Sequence, residues 1–208
     1  MAVFSQFPHL KKMFDGSVFI GKRSDVSTLV NGRYLKYGTT IEKNMSVYQK
    51  QWLEKESVFY NLTDELFPNF SWTKGKYIAY PTIWGMYPRF LEDKTFQVPF
   101  KTRRKRYVNV IAAHEMLHFI FYEYFFRLYP QYASDEHDFL AWHVSEIFNT
   151  VVQNSSKWLN VFGLETMEYP EHEAIVEKLS GKYRKADVIE TNALIADILS
   201  AVKDSGFV

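Results

Sequence analysis

The first forty residues alternate between short apolar stretches and turn-forming residues. Asn31-Gly32, a dipeptide favoured in two-residue hairpin turns, separates the apolar stretches 27–30 and 33–37. Another short apolar run covers residues 17–20. This pattern predicts that a small sheet begins in this part of the chain.

A helical repeat follows the predicted hairpin. Thr39 and Glu42 have the spacing of a capping box, and apolar residues then recur at helical intervals towards Leu66. Pro68 ends the pattern, because proline cannot continue a helix. We therefore predict one long amphipathic helix here.

Residues 74–100 have a different texture, in which Gly and Pro are interspersed with aromatic and β-branched residues. That mixture is typical of short strands and turns rather than of helix. The best strand candidates are residues 77–80 and 95–98.

The rest of the chain has the periodicity of helices. From about residue 105 to residue 128 there is neither Gly nor Pro, and apolar side chains recur three or four residues apart, which predicts one long buried helix. Further helices are predicted over residues 135–154, 171–179 and 185–203. The chain is therefore predicted to be a single α+β domain over residues 1–208, with a β-rich part and one long helix over 1–100 and a helical part over 101–208.

Composition narrows the chemistry more than the architecture. Hydrophobic residues make up 47% of the chain, which is enough apolar surface for a sizeable core. The 25 Lys and Arg residues balance 24 Asp and Glu residues, so no overall field would recruit nucleic acid or an acidic membrane. Cysteine is absent, which excludes disulfides, thiolate metal sites and a cysteine nucleophile. Any metal site must therefore use His and carboxylate ligands.

Targeting signals and charge clusters add little. The start of the chain has no continuous apolar run, and the longest apolar stretches are far shorter than the ~20 residues of a spanning helix. We therefore expect a cytoplasmic protein with no membrane partner. A local basic cluster is interpreted as a solvated helix entrance or docking edge rather than a nucleic-acid site; it comprises Lys101, Arg103, Arg104, Lys105 and Arg106.

The segment with clear chemical potential is His114-Glu115-Met116-Leu117-His118. Two histidines four residues apart project from one face of a helix, where both imidazoles can bind the same zinc ion. Glu115 lies on the adjoining flank, where its carboxylate can hold and deprotonate a metal-bound water. The ordinary alternative is that the two histidines are satisfied in the core by other partners.

This HExxH segment resembles the zincin superfamily of metallopeptidases. The metzincin branch is set aside, because Phe121 and Tyr124 occupy the positions where it requires Gly and His. The resemblance implies a zincin-like fold, in which a small twisted sheet near the N-terminus packs on the motif helix and a helical half follows. It also implies that an edge strand before that helix lines the cleft and pairs with an extended peptide; residues 95–98 are assigned to this strand, with an ordinary sheet strand as the alternative.

The third metal ligand must come from elsewhere in the chain. Glu146, 28 residues after His118, resembles the gluzincin arrangement, in which a glutamate on a following helix completes the site. Its helix has apolar residues on both sides, which argues against a simple solvated face. The alternatives are a buried glutamate paired with Lys or Arg and, as rival ligands, His143 and then Glu136 and His137. Glu123 is poorly placed, because it has rotated away from the ligand face.

Supporting residues are harder to assign from sequence. Thr150 stands where thermolysin-like relatives have an outer-shell Asp, and Asn149 is a partial replacement. A peptidase of this type also needs a donor for the developing oxyanion. His172 and Tyr183 are the candidates for that donor, with an ordinary structural role as the alternative for each.

The function predicted from these residues is zinc-dependent hydrolysis of a peptide bond in a peptide or protein substrate. His114, His118 and Glu146 hold Zn²⁺, while Glu115 is the general base and then the proton donor. Two alternatives stay open: a non-catalytic binding or scaffold protein with a zincin fold, and a zinc hydrolase of a non-peptide substrate.

Overall fold

The structure, a computed structural model, describes residues 14–15, 18–19, 22–104, 106–134 and 138–207. Two short strands, β1 (Phe14–Asp15) and β2 (Val18–Phe19), pair antiparallel at its start. β2 falls inside the predicted extended run at residues 17–20, so this part of the prediction is confirmed.

A helix of 31 residues, α1 (Arg23–Leu53), occupies the region of the predicted hairpin. The hairpin prediction is wrong because a helical stripe, most of it half-buried, runs straight past Asn31-Gly32. Those two residues lie on the exposed side of the helix, where their poor helix propensities cost only about 1 kcal/mol each or less. The stripe consists of Val26, Val30, Tyr34, Tyr37, Ile41, Met45, Tyr48 and Trp52.

A second helix, α2 (Glu56–Leu66), follows after a short break. The single helix predicted to start near Thr39 is therefore two helices, and it ends before Pro68 as expected. Because α1 and α2 occupy most of the residues from Arg23 to Leu66, the expectation of a β-rich first hundred residues is also wrong.

The main sheet has three strands, β3 (Ile78–Thr82), β4 (Arg89–Phe90) and β5 (Thr95–Pro99). The strand predictions at 77–80 and 95–98 are confirmed. β3 and β5 are parallel, with Ile78 opposite Thr95, and β4 pairs antiparallel on the other side of β5. β5 is thus the central strand, so the expectation that residues 95–98 form an edge strand is wrong. β4 is an edge strand of this sheet.

Helices make up the second half of the chain, as predicted. They are α3 (Tyr107–Leu128), α4 (Asp138–Gln153), α5 (Ser156–Phe162), α6 (Glu173–Tyr183) and α7 (Thr191–Asp204). The short α5 was not predicted; it ends at Gly163, whose φ of 75° is a left-handed conformation that glycine adopts readily. Helix α7 begins six residues later than the predicted residue 185, at Thr191, whose hydroxyl donates to the Leu66 carbonyl.

The centre of the core is α4, which packs against α3, α6 and α7. Residues 140–153 are buried apart from Trp142, so this helix is enclosed on nearly all sides. Helix α3 lies between β5 and α4 and presents one face to each. The architecture is thus α+β, and the two helices expected to carry ligands are neighbours. Within the described ranges, no helix is both long and apolar enough to cross a membrane.

Candidate metal centre

His114, His118 and Glu146 meet at the contact between α3 and α4. Each offers one ligand atom, and these atoms all lie within 4.8 Å of one another. Four residues separate the histidines on α3, so both rings leave the same side of the helix, and Glu146 approaches them from the middle of α4. His118 is fully buried and Glu146 is 5% exposed. The three residues lie close enough to bind a metal ion.

The distances between these ligand atoms suit a small tetrahedral site. Oε2 of Glu146 lies 3.1 Å from Nε2 of His114, and Oε1 lies 3.5 Å from Nε2 of His118. Bonds of ~2.0–2.1 Å to a tetrahedral zinc ion place neighbouring ligand atoms about 3.3–3.4 Å apart. The two observed values lie on either side of this spacing but end on different oxygens of Glu146, and one atom from each of the three residues lies within 4.8 Å of the others, which is close enough to bind a metal ion after the side chains draw together.

Gln153 fixes the orientation of the His114 ring. The Gln153 amide donates to the Val110 carbonyl over 3.0 Å, which turns its own Oε1 towards Nδ1 of His114 at 2.8 Å. Nδ1 therefore carries a proton that it donates, and Nε2 is directed at Glu146. Burial lowers the pKa of His114, but the hydrogen bond and charge of Glu146 outweigh it and raise that pKa. Without a metal, a proton is thus held between these two groups.

His118 is oriented by Ser145, whose hydroxyl lies 2.5 Å from Nδ1. Burial lowers the pKa of His118 well below its usual value, so this imidazole is neutral. Among the described residues, Nε2 of His118 has no hydrogen-bond partner, although it is fully enclosed. A buried polar nitrogen without a partner costs about 1–3 kcal/mol, and a cation between it and Glu146 would satisfy both groups.

Arg89 on β4 is a second partner of Glu146. Its Nη1 lies 3.2 Å from Glu146 Oε1 and 3.9 Å from Glu115 Oε2, and its Nη2 donates to the Tyr122 hydroxyl over 2.9 Å. Burial raises the pKa of Glu146, but the bonds from His114 and Arg89 together hold it below its usual range. The buried Glu–Arg pair weighed as an alternative from sequence is therefore present, beside a geometry that also suits a metal.

Glu115 follows the first histidine and lines the same cleft. It is 6% exposed, and its Oε2 has no hydrogen-bond partner within the described residues. Burial raises its pKa by more than the charges of His114 and Arg89 lower it, and the resulting pKa is about 7. A carboxyl group with such a pKa can both accept and return a proton near neutral pH.

The three ligand residues and Glu115 lie at the base of a cleft of about 810 Å³, which His114, Glu115 and Glu146 line directly. One wall is formed by residues 85–91 around β4, and the facing wall by residues 166–169. Large apolar side chains on both rims are exposed to solvent, among them Met86 and Met167. The aromatic lining consists of Tyr87, Tyr107, Tyr122, Phe126, Trp142 and Tyr169.

Tyr169 belongs to this lining and lies near the charges of both Glu146 and Glu115. Burial, together with the nearby charges of Glu146 and Glu115, raises its pKa to about 12. Its hydroxyl therefore stays protonated and can donate a hydrogen bond in the cleft. Tyr169 was not among the candidates from sequence, which were His172 and Tyr183.

The structure does not bring the other sequence candidates to the metal ligands. Nδ1 of His143 is 2.7 Å from Nε2 of His172, and this pair is buried against Phe207, away from the cleft lining. Tyr183 donates to Asp197 over 2.7 Å, between α6 and α7. None of these three side chains lines the cleft.

The remaining candidates have other contacts. Asn149 donates to the backbone carbonyl of His114 over 3.0 Å rather than to a ring nitrogen, so the supporting role expected of it is filled by Gln153. Glu123 accepts a bond from Thr73 instead of approaching the histidines. Glu136 and His137 lie outside the described residues.

The basic cluster lies where α3 begins. Arg106 precedes the helix with a left-handed φ of 65°, Arg104 lies over Tyr107 and Lys101 over Tyr37. Lys105 is outside the described residues. The cluster thus lies at a helix entrance, as the sequence predicts, and a docking role stays a prediction.

Besides Tyr169, three residues of the site were missed from sequence. Gln153 had a usable signal, because it lies seven residues after Glu146 and hence on nearly the same face of α4. Ser145 and Arg89 carry no local signal, since only the packing of α4 and β4 brings them to the histidines.

Comparison of the chain with family models, with curated proteins and with solved structures gives no significant match.

Proposed function

We propose that this protein is a zinc-dependent hydrolase that cleaves peptide bonds, with a gluzincin-like site. The observation that carries the proposal is the enclosed Nε2 of His118, which has no hydrogen-bond partner in the described residues and faces Glu146 beside His114. Two imidazoles and one carboxylate, without cysteine, form a donor set typical of catalytic zinc. The HExxH spacing places Glu115 beside that donor set.

A zinc ion held by His114, His118 and Glu146 would lower the pKa of a water molecule and polarise the substrate carbonyl. Glu115 would accept a proton from such a water and return it to the departing amine. Its pKa of about 7 suits both directions of transfer near neutral pH. Gln153 and Ser145 hold the histidine rings in place, which limits the reorganisation required during the reaction.

Negative charge that develops on the substrate oxygen needs a hydrogen-bond donor. We infer that Tyr169 supplies this donor, and its place in the cleft lining near the charges of Glu146 and Glu115 supports the role. Tyr169 takes the role considered for His172 and Tyr183, which are engaged elsewhere.

The shape of the cleft supports a peptide substrate. β4 is an edge strand of the sheet, and residues 85–91 around it form one wall, so an extended chain can lie along it. The exposed apolar side chains on both rims would contact bulky residues of that chain. Strand pairing, expected at residues 95–98, is therefore transferred to β4.

One observation favours the alternative of a non-catalytic protein with the same fold. Arg89 and His114 already satisfy the carboxylate of Glu146 without a metal. In such a protein the cluster would be a buried ion-pair network, and the cleft would bind its partner without cleaving it.

Metal analysis and a peptide library separate the two functions. We expect the wild type to bind one zinc ion and to cleave peptides, Glu115→Gln to keep zinc but lose cleavage, and His118→Ala to lose both. Glu123→Gln is the matched control, because it removes a carboxylate from the same helix without touching the site. A wild type that takes up no zinc from metal-replete solution refutes the proposal, and one that binds zinc without cleaving any peptide supports the non-catalytic alternative.

A further inference from the structure

Arg89 is an unusual neighbour for a set of metal ligands, because it brings a permanent positive charge to a place that would also hold a cation. Its side chain is only 14% exposed and is held from two directions, by Glu146 and by the Tyr122 hydroxyl. Glu115 lies 3.9 Å away on the same side. The guanidinium is thus fixed at the base of the cleft rather than on its rim.

The charges around Arg89 depend on the metal. Without a metal, Glu146 and Glu115 lie within 4 Å of the guanidinium and compensate its charge. A divalent cation on Glu146 would be balanced by the same two carboxylates. Among the buried groups at the base of the cleft, two negative charges would then face three positive ones, so one positive charge there would lack a buried partner.

We propose that in the metal-loaded protein Arg89 binds a carboxylate of the substrate. This inference rests on the proposed function and names the class of substrate: a peptide with one carboxylate close to the scissile bond, either its C-terminus or an Asp or Glu side chain. A guanidinium has five N–H donors in a planar fork that matches a carboxylate, and the contacts to Glu146 and Tyr122 leave donors over.

The other charges of the cleft restrict this preference to a single carboxylate. Asp138 and Glu168 also line the cleft, and they would repel additional negative charge on the substrate. A strongly acidic peptide is therefore a poor ligand, whereas one acidic group that reaches Arg89 is a good one.

Binding of three short peptides tests the proposal in the Glu115→Gln background, in which the peptides are not turned over. The peptides are acetyl-Phe-Leu with a free C-terminus, the same peptide with a C-terminal amide, and acetyl-Phe-Glu amide. We expect at least one of the two carboxylate peptides to bind zinc-loaded protein about tenfold or more tightly than the neutral amide. Which of the two binds distinguishes a C-terminal from a side-chain carboxylate.

Variants assign the preference to Arg89. Adding Arg89→Gln should reduce the difference to less than about twofold while the neutral amide binds as before, and Arg89→Lys should keep part of it, because charge without the fork still attracts a carboxylate. Arg127→Gln, which removes an exposed guanidinium from α3 outside the cleft, should leave the preference intact.

Two results overturn the inference. Equal binding of all three peptides to zinc-loaded protein does so, and so does a preference that persists in Arg89→Gln, since the metal itself would then be the anion receptor. If Arg89→Gln does not fold, a full preference in Arg89→Lys counts against the fork. Zinc content is measured for every sample, so failure of the metal site itself is recorded separately from failure of carboxylate recognition.

Discussion

Replacing Gln153 by Leu tests whether the surroundings of the histidines were built for a metal. Leu has a similar volume, so the buried position stays filled, but the acceptor for Nδ1 of His114 and the donor to the Val110 carbonyl are both lost. An unsatisfied buried N–H costs about 1–3 kcal/mol, which should appear in the free energy of unfolding. Loss of the orienting bond to a metal-binding histidine typically weakens metal affinity about 10–100-fold.

The assay is competition for zinc with a chelator of known affinity, combined with urea unfolding of metal-free protein. Thr150→Val is the matched control, because it removes a buried hydroxyl from the same helix. That hydroxyl donates to the backbone carbonyl of Glu146 and not to a histidine ring. We expect that control to bind zinc within about twofold of the wild type. If Gln153→Leu loses stability but binds zinc as tightly as the wild type, then Gln153 is a core hydrogen-bonding residue and not a support of the metal ligand.

Further predictions concern the cleft, the core and the response to pH. Tyr169→Phe should keep zinc and lower kcat about a hundredfold with little change in KM, as measured in steady-state assays, because one hydroxyl donor to the developing charge is removed; an unchanged kcat contradicts this role. Phe148→Ala should lower the free energy of unfolding by about 3–5 kcal/mol in urea titrations, since the ring is fully buried between Phe67 and Phe121. Burial lowers the pKa of His143 and of His172, and His143 lowers that of His172 further. Because the unfolded chain binds these protons more tightly, stability from this pair should be present above pH ~6.5 and fall as the pH drops below it. Urea titrations between pH 8 and 5 should show a smaller loss when both residues are replaced by Gln, and an unchanged loss would assign the effect to other groups.

The two histidines and Glu115 were accessible from sequence because their spacing is a property of a single helix. His114, Glu115 and His118 come together as soon as α3 forms, and the absence of Gly and Pro from this stretch predicts that helix. Glu146 was reachable because α4 is apolar on both sides, which argues against a simple solvated face as the reason for a central carboxylate.

The failures had physical causes that are equally specific. At Asn31-Gly32 a signal of two residues was preferred over a stripe of eight, although the longer pattern buries more apolar surface. The central position of β5 could not be predicted, because the strand order depends on how β4 crosses to the side of β5 that faces away from β3. Arg89 is 57 residues from Glu146 in sequence, and only that crossing brings them together.

The enclosure of α4 also limits how this protein can diversify. Almost every residue from 140 to 153 is buried, so a substitution there changes packing and is costly. Apart from Arg89 and Tyr169, the cleft walls at residues 85–91 and 166–169 carry side chains that do not contact Glu146 and can vary without disturbing it. In related proteins we therefore expect substrate range to have changed through these two segments, while the region around Glu146 retains its residues.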